Sequence, residues 1–144
     1  MKTNKQHIAI SFLVIGVFML GCSPTADIIE IGERLFIGQV NEIYLNANNY
    51  LGKTIKLEGI FIQEHWEGAD YYFVIRNGPG CCGDDGVVGF QVAWAANQPY
   101  PEVQSWVEAI GVLESRRIND RSYLYLNLSS LTVLDRRGQE FIQP

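Results

Sequence analysis

The residues with the clearest capacity for chemistry fall in one stretch, Arg76-Asn77-Gly78-Pro79-Gly80-Cys81-Cys82-Gly83-Asp84-Asp85-Gly86. Its glycines and proline argue for a loop rather than a regular strand or helix. Adjacent cysteines in a strand would point to opposite faces, and a glycine-rich turn lifts that restriction. Three states are then open to the pair. The thiolates can bind a soft or borderline metal such as zinc, with Asp84, Asp85 or His65 completing the shell. They can close a vicinal disulfide and act as a redox couple. Neighbouring Cα atoms lie about 3.8 Å apart, below the usual disulfide range of about 4.4–6.8 Å, so that bond is strained and easily reduced. Or they can pack as small inert residues. Spacing alone does not choose, because structural zinc sites usually separate their cysteines by two to four residues and use two such pairs.

The neighbouring charges each have two readings. Arg76 can balance thiolate or carboxylate charge and depress a cysteine pKa, or it can be a solvated residue at a strand end. Asp85 can be a ligand, or a turn residue that bonds backbone amides. His65, beside Trp66, reads as an exposed loop histidine. Trp94, Trp106 and the tyrosines read as core and rim packing rather than a ligand cage. Arg116, Arg117 and Arg121 mark a hairpin tip that is either solvated or touches anionic headgroups. No catalytic set is legible: there is no phosphate-cradling glycine motif, no HExxH and no Ser/His/Asp spacing. The chain is therefore read as a binding protein, not an enzyme.

The elements that must position this loop are mostly strands. Phe36, Val40, Ile43 and Tyr44 recur on one helical face from Glu33 onward. Asn46, Asn48, Asn49 and Gly52 end that helix. From Lys53 the period changes to two. Strands are expected from Lys53 through Phe61, at Tyr71 to Ile75, Val87 to Trp94, Trp106 to Leu113, and Tyr123 to Leu128 with continuation through Val133. Ile28, Ile29 and Ile31 suggest a further short strand. Gly59 and Gly111 interrupt two of the strands, as glycines do where a small barrel coils sharply. The expected fold is mainly β: a small five-stranded OB-like barrel preceded by one short helix, with a small sandwich as the alternative. Ala95 to Val103 carries Pro99 and Pro101 and reads as a loop, where an OB-fold commonly has a helix.

The amino terminus reads as an address. Lys2 and Lys5 precede an uncharged run from Ile8 to Leu20, too short for a membrane span of roughly 20 residues and suited to a signal-peptide core of about 7–15. It ends in Met19-Leu20-Gly21-Cys22, which resembles a bacterial lipobox. That likeness implies cleavage before Cys22, acylation of its thiol with palmitate-type chains, and a protein anchored to the outer face of the cell membrane. Several acyl chains hold stably where one is marginal. The expected organisation is a signal at 1–21, a tether and short strand at 22–32, and one domain at 33–144. The whole chain carries 11 basic and 16 acidic residues, a net charge of −5. Cleavage would remove Lys2 and Lys5 and no acid, taking the charge to −7. Such a surface argues against nucleic acid, whose binding rests on Lys and Arg at phosphates.

The stretch from Asn41 to Pro144 resembles the C-terminal soluble domain of the YcgQ-like family of permease-associated bacterial membrane proteins. The likeness runs through Asn41-Glu42-Ile43-Tyr44, Tyr50-Leu51-Gly52-Lys53, the strand Ile55-Lys56-Leu57-Glu58-Gly59, and Arg76 five residues before Cys81-Cys82. It continues with Asp85 three after the second cysteine, Val88-Gly89, Val92, Trp94, Trp106-Val107 and Gly111. Asp84 and His65 match no motif position. The family's membrane helices are replaced here by the lipobox. The resemblance implies partnership with a permease and favours a metal site at Cys81, Cys82 and Asp85, with Arg76 in support. The alternatives it leaves are a vicinal-dithiol redox protein and a non-catalytic structural or interaction domain.

Overall fold

The computed structural model describes residues 27–79, 85–94, 98–118 and 120–143. In chain order these form β1 (Ile28–Glu30), α1 (Phe36–Leu45), β2 (Thr54–Trp66), β3 (Ala69–Pro79), β4 (Asp85–Trp94), β5 (Trp106–Ile118) and β6 (Arg121–Val133). Short 3-10 turns flank α1 at Glu33–Leu35 and Ala47–Asn49. Among the described residues no helix is long and apolar enough to cross a membrane.

The strands pair in the order β1-β2-β3-β4-β6-β5, and β5 pairs back onto β2. A ring of five strands results, β2-β3-β4-β6-β5, antiparallel at every step except the parallel β4–β6 contact. β2 serves both neighbours in turn: Thr54 to Ile60 face β5, and Ile60 to Trp66 face β3. The handover falls at Gly59 and Ile60, where the sequence places a glycine bend. β1 adds a parallel strand outside the ring along the first rungs of β2. The second internal glycine, Gly111, sits at a register shift between β5 and β6, the expected use of glycine at a barrel corner.

Alternation sends Ile55, Leu57, Val74, Phe90, Val92, Val107, Leu113 and Leu126 into one continuous core. α1 closes it with Phe36, Val40 and Ile43, all buried. A ten-residue helix is marginal on its own in water. Here three buried side chains, each contributing about 1.5–3 kcal/mol relative to exposure, hold it in place. Tyr44 stands at the edge: its ring stacks on Phe90 at 5.2 Å and its hydroxyl donates to the Gly89 carbonyl at 3.1 Å. Among the described residues the one α-helix precedes the barrel strands. The described part of the connection between β4 and β5, residues 98–105, holds no helix.

The stretch from Arg76 to Gly86 differs from the sequence expectation. It is not a loop throughout. The β3–β4 ladder continues through Arg76↔Val88, Asn77↔Val87, Gly78↔Gly86 and Pro79↔Asp85. Glycine and proline weaken a strand, but continued pairing with β4 overrides that preference. Asn77 also binds the carboxy-terminal tail: its N–H donates to the Glu140 carbonyl, and its own carbonyl accepts from the Ile142 N–H, each at 2.8 Å. The other strands also outrun their expected ends, β5 reaching Ile118 and β6 beginning at Arg121.

Candidate functional site

The β3–β4 hairpin brings Pro79 and Asp85 opposite each other on its last described rung. Pro79 lacks an N–H and suits a terminal rung. Residues 80–84, with Cys81, Cys82 and Asp84, lie outside the described residues, as does Cys22. Asp85 enters through its backbone pairing alone. Among the described residues no group of three or more His, Cys, Asp and Glu side chains converges as a metal site.

Arg76 belongs to β3 and not to a loop, and its side chain is buried. It is 2% exposed, the one charged residue among the buried side chains described. Its Nε donates to the Glu58 carbonyl at 2.8 Å. Its Nη1 donates to the Gln139 carbonyl at 3.2 Å and to Glu33 Oε1 at 3.3 Å. Phe36 and Trp106 hold the guanidinium between their rings, at 4.7 and 4.9 Å. Trp106 in turn directs Nε1 toward Glu58 Oε2 at 3.4 Å. These contacts join the turn before α1, strands β2, β3 and β5, and the tail. Only arginine offers a planar fork for three acceptors and flat faces for two rings. In its described contacts Arg76 is structural; the counter-charge role expected of it concerns Cys81 and Cys82, which lie outside the described residues. Sequence reading missed Glu33, Glu58 and Gln139 as its partners. An arginine inside the alternation of Tyr72, Val74 and Gly78 is the signal that was available, since period two places it on the inner face.

Glu33 supplies the pH dependence of this node. Its carboxylate accepts the Gln139 N–H at 2.7 Å and lies beside Arg76, and these hold its pKa below the ordinary carboxylate range. A depressed folded pKa gives stability that is present above the unfolded value and is lost as pH falls through the folded one. Stability should therefore decline below about pH 5, and Glu33→Gln should make that acid limb shallower. Urea unfolding of both chains between about pH 7 and about pH 3 checks this. Equal limbs would show that Glu33 does not carry the effect.

The remaining residues singled out in the sequence are dispersed. His65 pairs with Asp70 at 2.8 Å across the β2–β3 turn, and its side chain is 68% exposed. Asp70 and Pro79 lie at opposite ends of β3, roughly 25–30 Å apart at about 3.3 Å per residue. His65 therefore lies at the far end of β3 from the Pro79–Asp85 rung. Trp106 is core. Trp94 is partly buried, packs against the core, and leaves its Nε1 without a partner among the described residues. Tyr100 stacks on Phe61 and Tyr72, with centroids 5.6 and 3.7 Å apart, so these rings are packing rather than a cage. Arg116, Arg117 and Arg121 do sit at the β5–β6 hairpin tip. Arg116 stacks on Tyr125 at 4.8 Å.

Strand order, the parallel β4–β6 step and the helical plug define this as an OB-like β domain. Its distinguishing feature is a cysteine pair between the second and third barrel strands. The chain belongs to the DUF1980 C-terminal domain family, whose model matches residues 20–142. No curated protein matches it. Among solved structures it is similar to the dimeric N-terminal domain of PriB protein from Thermoanaerobacter tencongensis. That match has 18% identity and a TM-score of 0.34, and covers 58% of this chain and 97% of that one. The fold assignment rests on the strand pairing itself.

Proposed function

We propose that this domain is a lipid-anchored, extracytoplasmic binding module that presents Cys81, Cys82 and Asp85 to a soft or borderline metal ion such as zinc, as an accessory to a permease. The observation that carries this reading is the last rung of the β3–β4 hairpin. The ladder ends at Pro79 and resumes at Asp85, so both thiols fall in the five residues that join the strands, next to a carboxylate. Thiolates with a nearby carboxylate suit zinc and other thiophilic metals. Rigid strands that deliver a short variable segment are a common way to build a site. Arg76 supports this site from the base of β3, which its buried contacts stiffen. The lipobox at Cys22 supports the anchor, and the family resemblance supports the permease.

Elemental analysis of the full chain, purified without chelators or metal-binding tags, tests the reading. Zinc or copper(I) should be present in near-stoichiometric amount and should be lost in Cys81→Ser and Cys82→Ser. Absence of metal, or uptake unchanged by both substitutions, overturns it. A reversible loss of two hydrogens within one peptide, with no metal uptake, would make the pair a redox couple instead.

A further inference from the structure

The outer face of β3 and β4 is not a normal solvent face. Strands of a closed barrel alternate core residues with polar outward ones. Here the outward positions of β3 include Tyr71, Phe73 and Ile75, and those of β4 include Val87, Gly89 and Gln91. Two depressions of about 560 and 280 Å³ lie along this face and adjoin at Phe73, Gln91 and Tyr123, which line both, and together they make a groove. The size is that of a ligand site. The β2–β3 turn bounds one end with Trp66, and the β5–β6 hairpin forms a wall with Tyr123. These rings are 60% and 39% exposed. Trp66 and Tyr71 stand tilted to each other at 6.4 Å.

We infer that this groove binds a neutral oligosaccharide. The face formed by the second and third barrel strands, between the first hairpin and the last, is where OB-like barrels take oligonucleotides or oligosaccharides. The charge of the lining chooses between them. Among the described residues no Lys or Arg lines either depression, Arg116, Arg117 and Arg121 at the nearby hairpin tip included. The only charges among the described lining residues are the carboxylates of Glu64 and Glu67 at the Trp66 end. A polyanion would find repulsion and no phosphate partner. A sugar chain instead offers apolar C–H faces to Trp66, Tyr71 and Tyr123. It offers hydroxyls to Gln91, Ser115 and Ser122, and to the carboxylates as acceptors. The inference does not rest on the cysteine loop.

Isothermal titration of the full chain, held in a polyoxyethylene detergent that carries no sugar, tests it. The probes are chitohexaose and cellohexaose, with a fifteen-residue thymidine oligonucleotide and a proline-rich decapeptide as competitors. At least one neutral hexasaccharide should bind saturably and more tightly than either competitor. Trp66→Ala and Tyr123→Ala should each weaken that binding about tenfold or more, the loss of one stacking contact. Both rings are exposed, so the variants should retain the wild-type unfolding midpoint. No saturable binding of either saccharide, binding unchanged in both variants, or tighter binding of the oligonucleotide or peptide overturns the inference.

Discussion

Arg76→Met should lower unfolding free energy by about 3–5 kcal/mol, the range for breaking a buried charged network on one side. Methionine keeps much of the packing between Phe36 and Trp106. It leaves the Glu58 and Gln139 carbonyls without their donors, and Glu33 without its cation. Buried polar groups stripped of a partner bear the full desolvation cost. Arg76→Lys keeps the charge and still should lose about 2 kcal/mol or more, because an ammonium cannot fork to three acceptors or stack flat between two rings. Burial already pushes the arginine pKa down while Glu33 pulls it up. A lysine, which starts lower, would feel the same burial more. Chemical denaturation of the three chains measures both effects. A loss under about 1 kcal/mol in Arg76→Met, the size of an ordinary surface change, would show that the guanidinium is solvated in solution.

The second large effect is at Gly89. A Cβ there would stand 2.1 Å from the Val74 carbonyl oxygen and 2.8 Å from the Ile75 Cα. Both are backbone atoms of the paired strand, so no side-chain rotation relieves the overlap. β3 and β4 must separate, which breaks the ladder at the centre of the hairpin and pulls Phe90 from Tyr44. Gly89→Ala should cost more than about 4 kcal/mol, in the range reserved for disrupted cores. Gly59→Ala and Gly111→Ala should follow in that order, with backbone oxygens at 2.5 and 2.7 Å. Gly38→Ala is the control. It lies within α1 with nothing within 4 Å, and should be neutral or stabilising by up to about 1 kcal/mol. Circular dichroism melts of the set give the ranking. A Gly89→Ala chain that unfolds cooperatively within about 1 kcal/mol of wild type would mean that the strands part more easily than their geometry implies.

Much of the architecture is legible without coordinates because it depends on local period. The helical spacing of Phe36, Val40 and Ile43 and the alternation from Ile55 onward each define an apolar face, and each is buried as expected. Gly59 and Gly111 mark corners because their lack of a side chain is visible in the sequence. Gly89 is just as constrained, yet its sequence neighbourhood does not mark it, since nothing local tells an interior strand glycine from a close approach. The aromatic groove was likewise invisible. Trp66, Phe73, Gln91 and Tyr123 lie on four strands, and each alone reads as rim or core.

What the sequence determined by itself was the mainly β, OB-like class, the helix before the barrel, and the place of both thiols in chain order between the second and third barrel strands. These follow from periodicity, from glycine spacing and from chain order, all short-range properties. What only the tertiary structure decided was how far β3 and β4 extend and what Arg76 does. The strands extend because Asn77 to Pro79 find backbone partners in β4, and Asn77 also binds the tail, more than sixty residues away in sequence. Arg76 is buried because Glu33, Glu58, Trp106 and Gln139 converge on it from four separate segments. Hydrogen-bond satisfaction of that kind is a property of the assembled fold, and no window of sequence contains it.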